Sequence, residues 1–204
     1  MNVDDFLNCS SFEETPVGPA ENYFIQNHLE SAQGKFFFEC GAVNGFHLSQ
    51  TATLEGIFKW DGILVEAHLE LFDRLNKGDR QAKKVRAFVG NGEKTFFEQK
   101  SSGLLGHSQL RPSKLNDDCV HVQTKTIEQV LTEAGAPDRV DFMVIDVEWA
   151  WRDAFEGIDF DRRQIDFLAI EMKKRDNEIL AAMAKRGFDL VRIMGGEDYL
   201  FSRS

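Results

Sequence analysis

The stretch Phe36-Phe37-Phe38-Glu39-Cys40-Gly41-Ala42-Val43-Asn44-Gly45 decides the fold of this chain. Three aromatics run without a polar break, an acid follows, and two glycines stand four apart. A short apolar run closed by glycine reads as a strand buried on both faces, as in a parallel sheet. Gly41 and Gly45 let the backbone turn tightly and approach a ligand closely. Phe46 to Ile57 carries apolar residues at helical spacing and no proline. The unit is therefore strand, glycine loop, and a helix from about Phe46. A nucleotide-type site opens in this way at the carboxyl edge of an α/β sheet.

The same grammar recurs along the chain. Ile63-Leu64-Val65-Glu66, Phe142-Met143-Val144-Ile145-Asp146 and Phe167-Leu168-Ala169-Ile170-Glu171 are apolar runs that end in an acid. As parallel strands they would place Glu39, Glu66, Asp146 and Glu171 on one sheet edge, where ligands of open α/β sheets bind. Trp60-Asp61-Gly62 reads as a turn, and Leu69 to Asn76 as a helix with Leu71, Phe72 and Leu75 on one side. Val85 to Val89 reads as a third strand, with Asn91-Gly92 after it as a hairpin or loop turn. Residues 101–118 read as a long loop. Val120 to Lys125 is a strand, after which Thr126 caps a helix with Gln129 at the capping-box position. Gly135 and Pro137 end that helix. Asp176 to Arg186 is a helix with Ile179, Leu180 and Met183 inward, and Lys173-Lys174-Arg175 is its solvated start. Asp189 to Met194 and Asp198 to Ser202 form a closing antiparallel hairpin about Gly195-Gly196. One domain is expected over 1–204: a lead-in with a short helix, Glu21 to Leu29, within 1–30, then the sheet and its helices over 31–204.

Apolar residues make up 42% of the 204, and charged residues 28%, as in ordinary globular proteins. The net charge is −10. A broad nucleic-acid or anionic-membrane surface needs a basic face and is not expected. Cys9, Cys40 and Cys119 have neither metal-site nor redox spacing. No signal peptide and no apolar run of the ~20 residues that span a membrane is visible. The expected location is the cytoplasm. No resident metal is expected either, Asp146 and Glu148 being the one pair placed to share a cation.

The ligand follows from what the glycine loop lacks. A dinucleotide loop needs a third glycine, and an acid beside it would repel pyrophosphate. Glu66, at the end of the next strand, matches the acid that holds ribose hydroxyls. Acid, glycine loop and ribose acid together favour S-adenosylmethionine over a nicotinamide cofactor.

Phe38-Glu39-Cys40-Gly41-Ala42-Val43-Asn44-Gly45, Trp60-Asp61-Gly62-Ile63-Leu64-Val65-Glu66 and Val144-Ile145-Asp146-Val147-Glu148 resemble the FkbM family of S-adenosylmethionine-dependent methyltransferases. Leu54-Glu55, the ending Gly187-Phe188-Asp189-Leu190-Val191 with Asp198-Tyr199-Leu200-Phe201, and the early Gly18-Pro19-Ala20-Glu21-Asn22 are similar too. The resemblance covers about residues 18–203. It implies a class I methyltransferase fold: a Rossmann-like, seven-stranded, mostly parallel sheet with helices on both faces and an antiparallel final strand. It also implies methylation of a hydroxyl oxygen on a small molecule or sugar. The implied cofactor residues are Glu39, Gly41, Ala42, Asn44 and Gly45 around the loop, Glu66 and Ala67 from the second strand, Phe88 and Val89 from the third, and Asp146. A valine at Gly41 is expected to block the cofactor while the fold survives.

Asp146 and Glu148 are the candidate catalytic pair. In an extended chain their side chains face one way, and otherwise both would cap the next helix. Two departures bear on the chemistry. Ala67-His68 replaces a proline pattern after the second-strand acid. In Asp146-Val147-Glu148-Trp149-Ala150-Trp151, Trp149 stands where the family has glycine and Trp151 where it has a second glutamate. Both tryptophans read first as core aromatics and second as a stacking wall for an acceptor ring. The alternatives are thus a methyltransferase-like binding domain without turnover and, further off, a nicotinamide-dependent oxidoreductase. His68, His107, Ser101 and Ser102 are weaker candidates.

Overall fold

The structure, a computed structural model, describes residues 18–28, 34–46, 49–98, 109–111 and 119–204. Leu29, Ser101, Ser102 and His107 lie outside the described residues. The chain builds a seven-stranded sheet of order β3-β2-β1-β7-β8-β10-β9 and a three-stranded sheet of order β5-β4-β6. In the large sheet, β1 (Phe36–Cys40), β2 (Asp61–Glu66), β3 (Lys83–Arg86), β7 (Arg139–Ile145) and β8 (Gln164–Glu171) run parallel. β10 (Asp198–Arg203) is antiparallel to both β8 and β9 (Phe188–Met194). This is the sheet the resemblance implied, with its one reversed strand last. The small sheet is antiparallel and comprises β4 (Lys94–Glu98), β5 (Gln109–Arg111) and β6 (Cys119–Gln123).

Among the described residues, six helices flank these strands: α1 (Pro19–His28), α2 (Ala52–Gly56), α3 (Leu69–Lys77), α4 (Ile127–Ala134), α5 (Trp151–Glu156) and α6 (Asn177–Lys185). The strands read as unbroken apolar runs because both faces are covered. On one face Phe37, Leu64, Phe142, Val144 and Leu200 pack with Phe24, Leu54 and Leu75 from α1, α2 and α3. On the other, Phe38, Ile63, Val65, Met143, Ile145, Leu168 and Ile170 pack with Ile127, Trp151, Ile179 and Met183 from α4, α5 and α6. Phe24 anchors α1, its ring centroid 4.9 Å from Phe142 and 4.8 Å from Phe167.

Local signals account for several boundaries. Thr126 and Gln129 form the capping box of α4, and Gly135 ends it in the left-handed region at φ 73°. Asp176 caps α6 through the N–H groups of Glu178 and Ile179. Two expectations are corrected, and one open alternative is decided. The helix after the glycine loop does not start near Phe46 but covers only Ala52–Gly56, because Ser49, Gln50 and Thr51 are drawn into a buried polar knot. Asp61 and Gly62 belong to β2 rather than to a turn, Gly62 being the register partner of Phe37. Asn91-Gly92 is a loop turn and joins no hairpin, since β3 and β4 lie in different sheets.

α1 and α2 cap one another. Gln50 Oε1 accepts from the N–H of Ala20 at 3.0 Å, at the start of α1. Glu21 Oε1 accepts from Thr53 N and Leu54 N, both at 2.8 Å, at the start of α2. Glu21 is fully buried and its Oε2 has no partner. Burial pushes its pKa up from 4.5 to about 8, against the two N–H bonds that lower it. The folded state therefore holds this proton more tightly than the unfolded chain. Its contribution to stability is complete below about pH 4.5 and is lost as the pH rises through about 8. Glu21→Gln keeps the Oε1 acceptor and should remove that slope, gaining melting temperature over wild type as pH rises. Parallel melting curves of the two proteins from acid to mildly alkaline pH would contradict this.

Candidate active site

The sheet order reverses direction between β1 and β7, and this switch point is where open α/β sheets bind ligands. The end of β1 is bonded closely there to both its neighbours, β7 and β2. Asp146 N donates to Cys40 O at 3.0 Å, and Gly41 N and Ala42 N both donate to Val65 O at 3.0 Å. Gly41 has φ 87°, and a Cβ on it would lie 1.7 Å from the Asp146 carbonyl oxygen. Any side chain at 41 forces β1 and β7 apart. The expectation that Gly41→Val blocks a ligand and spares the fold is corrected on that ground. Gly45 also takes a positive φ, and a Cβ there would press on Leu75 and Arg80. Ala42 is fully buried. Asn44 Oδ1 turns the loop by accepting from Phe46 N at 3.0 Å. Val43 sits at φ 52°, an uncommon conformation for a β-branched residue.

Three of the four strand-end acids gather at this edge and one does not. Glu39 precedes the last residue of β1 and is buried one step inside the edge. Its carboxylate accepts from Ser49 Oγ at 2.9 Å, Gln50 N at 2.8 Å and Thr51 Oγ1 at 2.5 Å. It fastens the segment 49–51 beneath the loop. Glu66, the last residue of β2, accepts from Val43 N at 2.9 Å and His68 N at 2.8 Å. Burial raises its pKa from 4.5 to about 7, and the N–H groups of His68, Val43 and Ala67 oppose that rise.

Beyond β3, Val89 is buried and bridges to Lys125, while the Phe88 ring meets Phe97 of β4 edge-on at 4.9 Å. Phe97 also lies 6.4 Å from the His68 ring, and β5 touches the turn Glu148–Ala150. The small sheet thus reaches from the β2–β3 end to the turn after β7, across the carboxyl edge. Of this wall only β6 was legible, as the strand read over Val120 to Lys125; the stretch 101–118 read as a long loop instead carries β5.

Asp146 meets acids from three sides. Burial raises its pKa well above the usual carboxylate range, and Glu171, Asp198 and Glu148 add to the rise. Asp198 opens β10 as the register partner of Glu171, and burial pushes its own pKa from 3.8 to about 6. Because β10 runs backwards, its first residue lands on the edge where the parallel strands end.

Lys173 Nζ lies 2.8 Å from Glu171 Oε1, 3.2 Å from Glu148 Oε2 and 3.4 Å from Glu197 Oε2. Burial alone would lower this lysine, but the carboxylates of Glu171 and Glu148 hold its pKa up. Lys173 is therefore no solvated helix start. It clamps the turn after β7, the end of β8 and the final hairpin together.

The chain does not stay extended after Asp146. Glu148 has φ 54° and opens a 3-10 turn. Neither acid caps α5, whose N-cap is Ala150 without a side-chain bond. The two tryptophans part company. Trp151 is 3% exposed and belongs to the core, whereas Trp149 is 53% exposed beside Glu148.

Parallel strands in this order, one reversed strand and acids at the switch point define a class I methyltransferase fold. The sequence pattern of the Methyltransferase FkbM domain matches residues 39–190. The chain belongs to the FkbM family of S-adenosylmethionine-dependent methyltransferases. No curated protein matches the sequence.

Among solved structures, the METTL16 MTase domain is 10% identical with a TM-score of 0.53, covering 90% of this chain and 66% of that one. The human METTL16 N-terminal domain in complex with SAH is 12% identical, TM-score 0.48, covering 93% and 71%. A precorrin-6y C5,15-methyltransferase from Geobacter metallireducens is 10% identical, TM-score 0.47, covering 97% and 93%. At such identities the likeness is one of fold.

The donor set fits the family's cofactor. Glu66 keeps carboxylate lone-pair capacity beyond its bonds to backbone N–H groups, as ribose hydroxyls require. The acids at Asp146 suit a cation and would repel pyrophosphate. Among the described residues, no group of three or more His, Cys, Asp or Glu could hold a metal ion, and no helix is long and apolar enough to cross a membrane.

Proposed function

We propose that this chain transfers the methyl group of S-adenosylmethionine to a hydroxyl oxygen of a small molecule or sugar. The observation that carries the reading is the Asp146–Glu171 carboxyl pair at the switch point, where burial makes Asp146 an unusually good proton acceptor once ionised. The cofactor supplies a methyl already activated on a positive sulfur, so the chain has mainly to orient and to move one proton. Glu66 holds the ribose hydroxyls, Ala42, Asn44 and Gly45 shape the loop beneath, and Ala67, Phe88 and Val89 border the adenine. Glu39 acts through the segment 49–51 that it fastens.

Glu148, steadied by Lys173, orients the acceptor, and the exposed Trp149 offers its ring a stacking face. Asp146 takes the acceptor's proton as the O–CH3 bond forms and the S–CH3 pair returns to sulfur. A second reading, cofactor binding without turnover, is favoured by Trp151, a core residue where the family pattern has an acid. We place the protein in the cytoplasm, where the buried thiol of Cys40 stays reduced.

The test is incubation with methyl-labelled S-adenosylmethionine and a panel of hydroxylated sugars and small metabolites. A labelled methyl ether supports the proposal. Cofactor binding with no labelled product from any acceptor favours the second reading.

Glu66→Ala should weaken cofactor binding by about 1.5–3 kcal/mol, the worth of hydrogen bonds to a charged group. Titration calorimetry reads this directly. Unchanged affinity in a folded Glu66→Ala protein would remove Glu66 from the ribose site.

A further inference from the structure

We propose that Asp146, Glu171 and Asp198 form a charge sensor that tells the sulfonium of S-adenosylmethionine from the neutral thioether of S-adenosylhomocysteine. The inference rests on the cofactor reading of the crevice between β1 and β7. A ligand anchored at Glu66 on β2 and laid along the sheet edge brings its far end to the end of β7. Asp146 stands there, its backbone hydrogen-bonded to Cys40 and packed on Gly41.

Among the described residues, the charged groups that act most strongly on Asp146 are acids. Glu171 comes from β8, Asp198 from β10 and Glu148 from the following turn, while β1 contributes the buried thiol of Cys40. Lys173 is the cation of this group, and its bonds go to Glu171, Glu148 and Glu197.

Glu171 shows how the set is held before a ligand arrives. Its Oε1 accepts from Lys173, whereas its Oε2 is buried without a protein donor among the described residues. A proton on the Asp146 carboxyl, which pairs with Glu171, fills that gap. In this state the pair carries one negative charge. A positive sulfur beside it favours loss of the shared proton and is held by two carboxylates. Methyl transfer turns the sulfur neutral, so the pair takes a proton back and its grip loosens. The same proton movement that serves the acceptor hydroxyl thus promotes release of the product.

The preference for the methylated cofactor should then rise with pH as Asp146 ionises, by about tenfold for each unit by which the sulfonium lowers its pKa. Interactions common to both ligands, Glu66 with the ribose included, cancel in the ratio of affinities. The experiment is titration calorimetry of the full chain with S-adenosylmethionine and with S-adenosylhomocysteine at several pH values, in buffers of different ionisation enthalpy.

The expected result is a preference for S-adenosylmethionine that grows about tenfold or more from acid to alkaline pH, with proton release on binding S-adenosylmethionine alone. Asp146→Asn should flatten the ratio. Asp198→Asn, at the start of β10 opposite Glu171, should reduce its slope without removing it. A ratio independent of pH in the wild type, or unchanged in a folded Asp146→Asn protein, overturns the sensor and leaves the cofactor reading standing. Failure of both ligands to bind overturns the cofactor reading and the sensor with it.

Discussion

Asp146→Asn should lower methyl transfer by about 10²–10⁴, the usual size of a lost general base, and leave S-adenosylhomocysteine affinity within a factor of a few. Asparagine keeps the size of the side chain and puts an N–H where the shared proton stood, so Glu171 Oε2 keeps a donor. The backbone bond from residue 146 to Cys40 O is untouched. What is lost is the ability to accept a proton. In the wild type, turnover should climb on the acid side with a pKa above the ordinary carboxylate range, because burial and Glu171 raise Asp146. That limb should vanish in the variant. Glu148→Gln should lose less, since Glu148 orients the acceptor and keeps one oxygen for it. Single-turnover transfer from labelled cofactor separates these effects from binding. Wild-type transfer in a folded Asp146→Asn protein would remove the base from the mechanism.

Arg80→Met should destabilise the fold by about 3–5 kcal/mol, the usual cost of leaving a buried charge without its partner. Arg80 is 5% exposed. Its Nε donates to Glu55 Oε2 at 2.8 Å, its Nη1 to Gly45 O and to Ser49 Oγ, and its Nη2 to Thr51 Oγ1 at 2.9 Å. Phe37 and Phe46 flank the guanidinium. Methionine replaces the stem but strands Glu55 and frees the backbone between Gly45 and Thr51, which Glu39 fastens from beneath. For a chain of this size, each kcal/mol shifts the melting temperature by roughly 2–4 °C, so a fall of about 6–20 °C is expected. Cofactor affinity should fall as well, because the glycine loop loses its brace. Adding Glu55→Leu should recover part of the stability by removing the stranded carboxylate. A melting temperature unchanged by Arg80→Met would show that the knot contributes nothing.

What could be read from the sequence was what local chemistry dictates. The capping box at Thr126 and Gln129, the terminator Gly135 and the hairpin about Gly195-Gly196 are each specified within a few residues. The apolar strands announce themselves because both their faces are buried. Glu66, Asp146 and Glu171 were legible as strand ends. Their shared edge follows once those strands are parallel.

The rest depended on contacts between distant residues. Glu39 looked equivalent to the other acids, but it lies one residue short of its strand's end, where Ser49, Gln50 and Thr51 take up its buried carboxylate. Lys173 looked like part of a solvated charge run. Its role follows from Glu148 and Glu197, which only the fold brings to it. Asp198 gave a signal of a kind, since an antiparallel last strand must begin at the edge where the others finish. Trp149 and Trp151 have like flanks in the sequence. The positive φ at Glu148 sends one to solvent, and the start of α5 sends the other to the core.

The most direct measurement of the central claim is titration of the protein in parallel with S-adenosylhomocysteine and with NAD. A crevice lined by the Gly41 loop, Glu66 and Asp146 predicts saturable binding of S-adenosylhomocysteine, one per chain, weakened by Glu66→Ala, and no binding of NAD. Saturable binding of NAD with none of S-adenosylhomocysteine would contradict it.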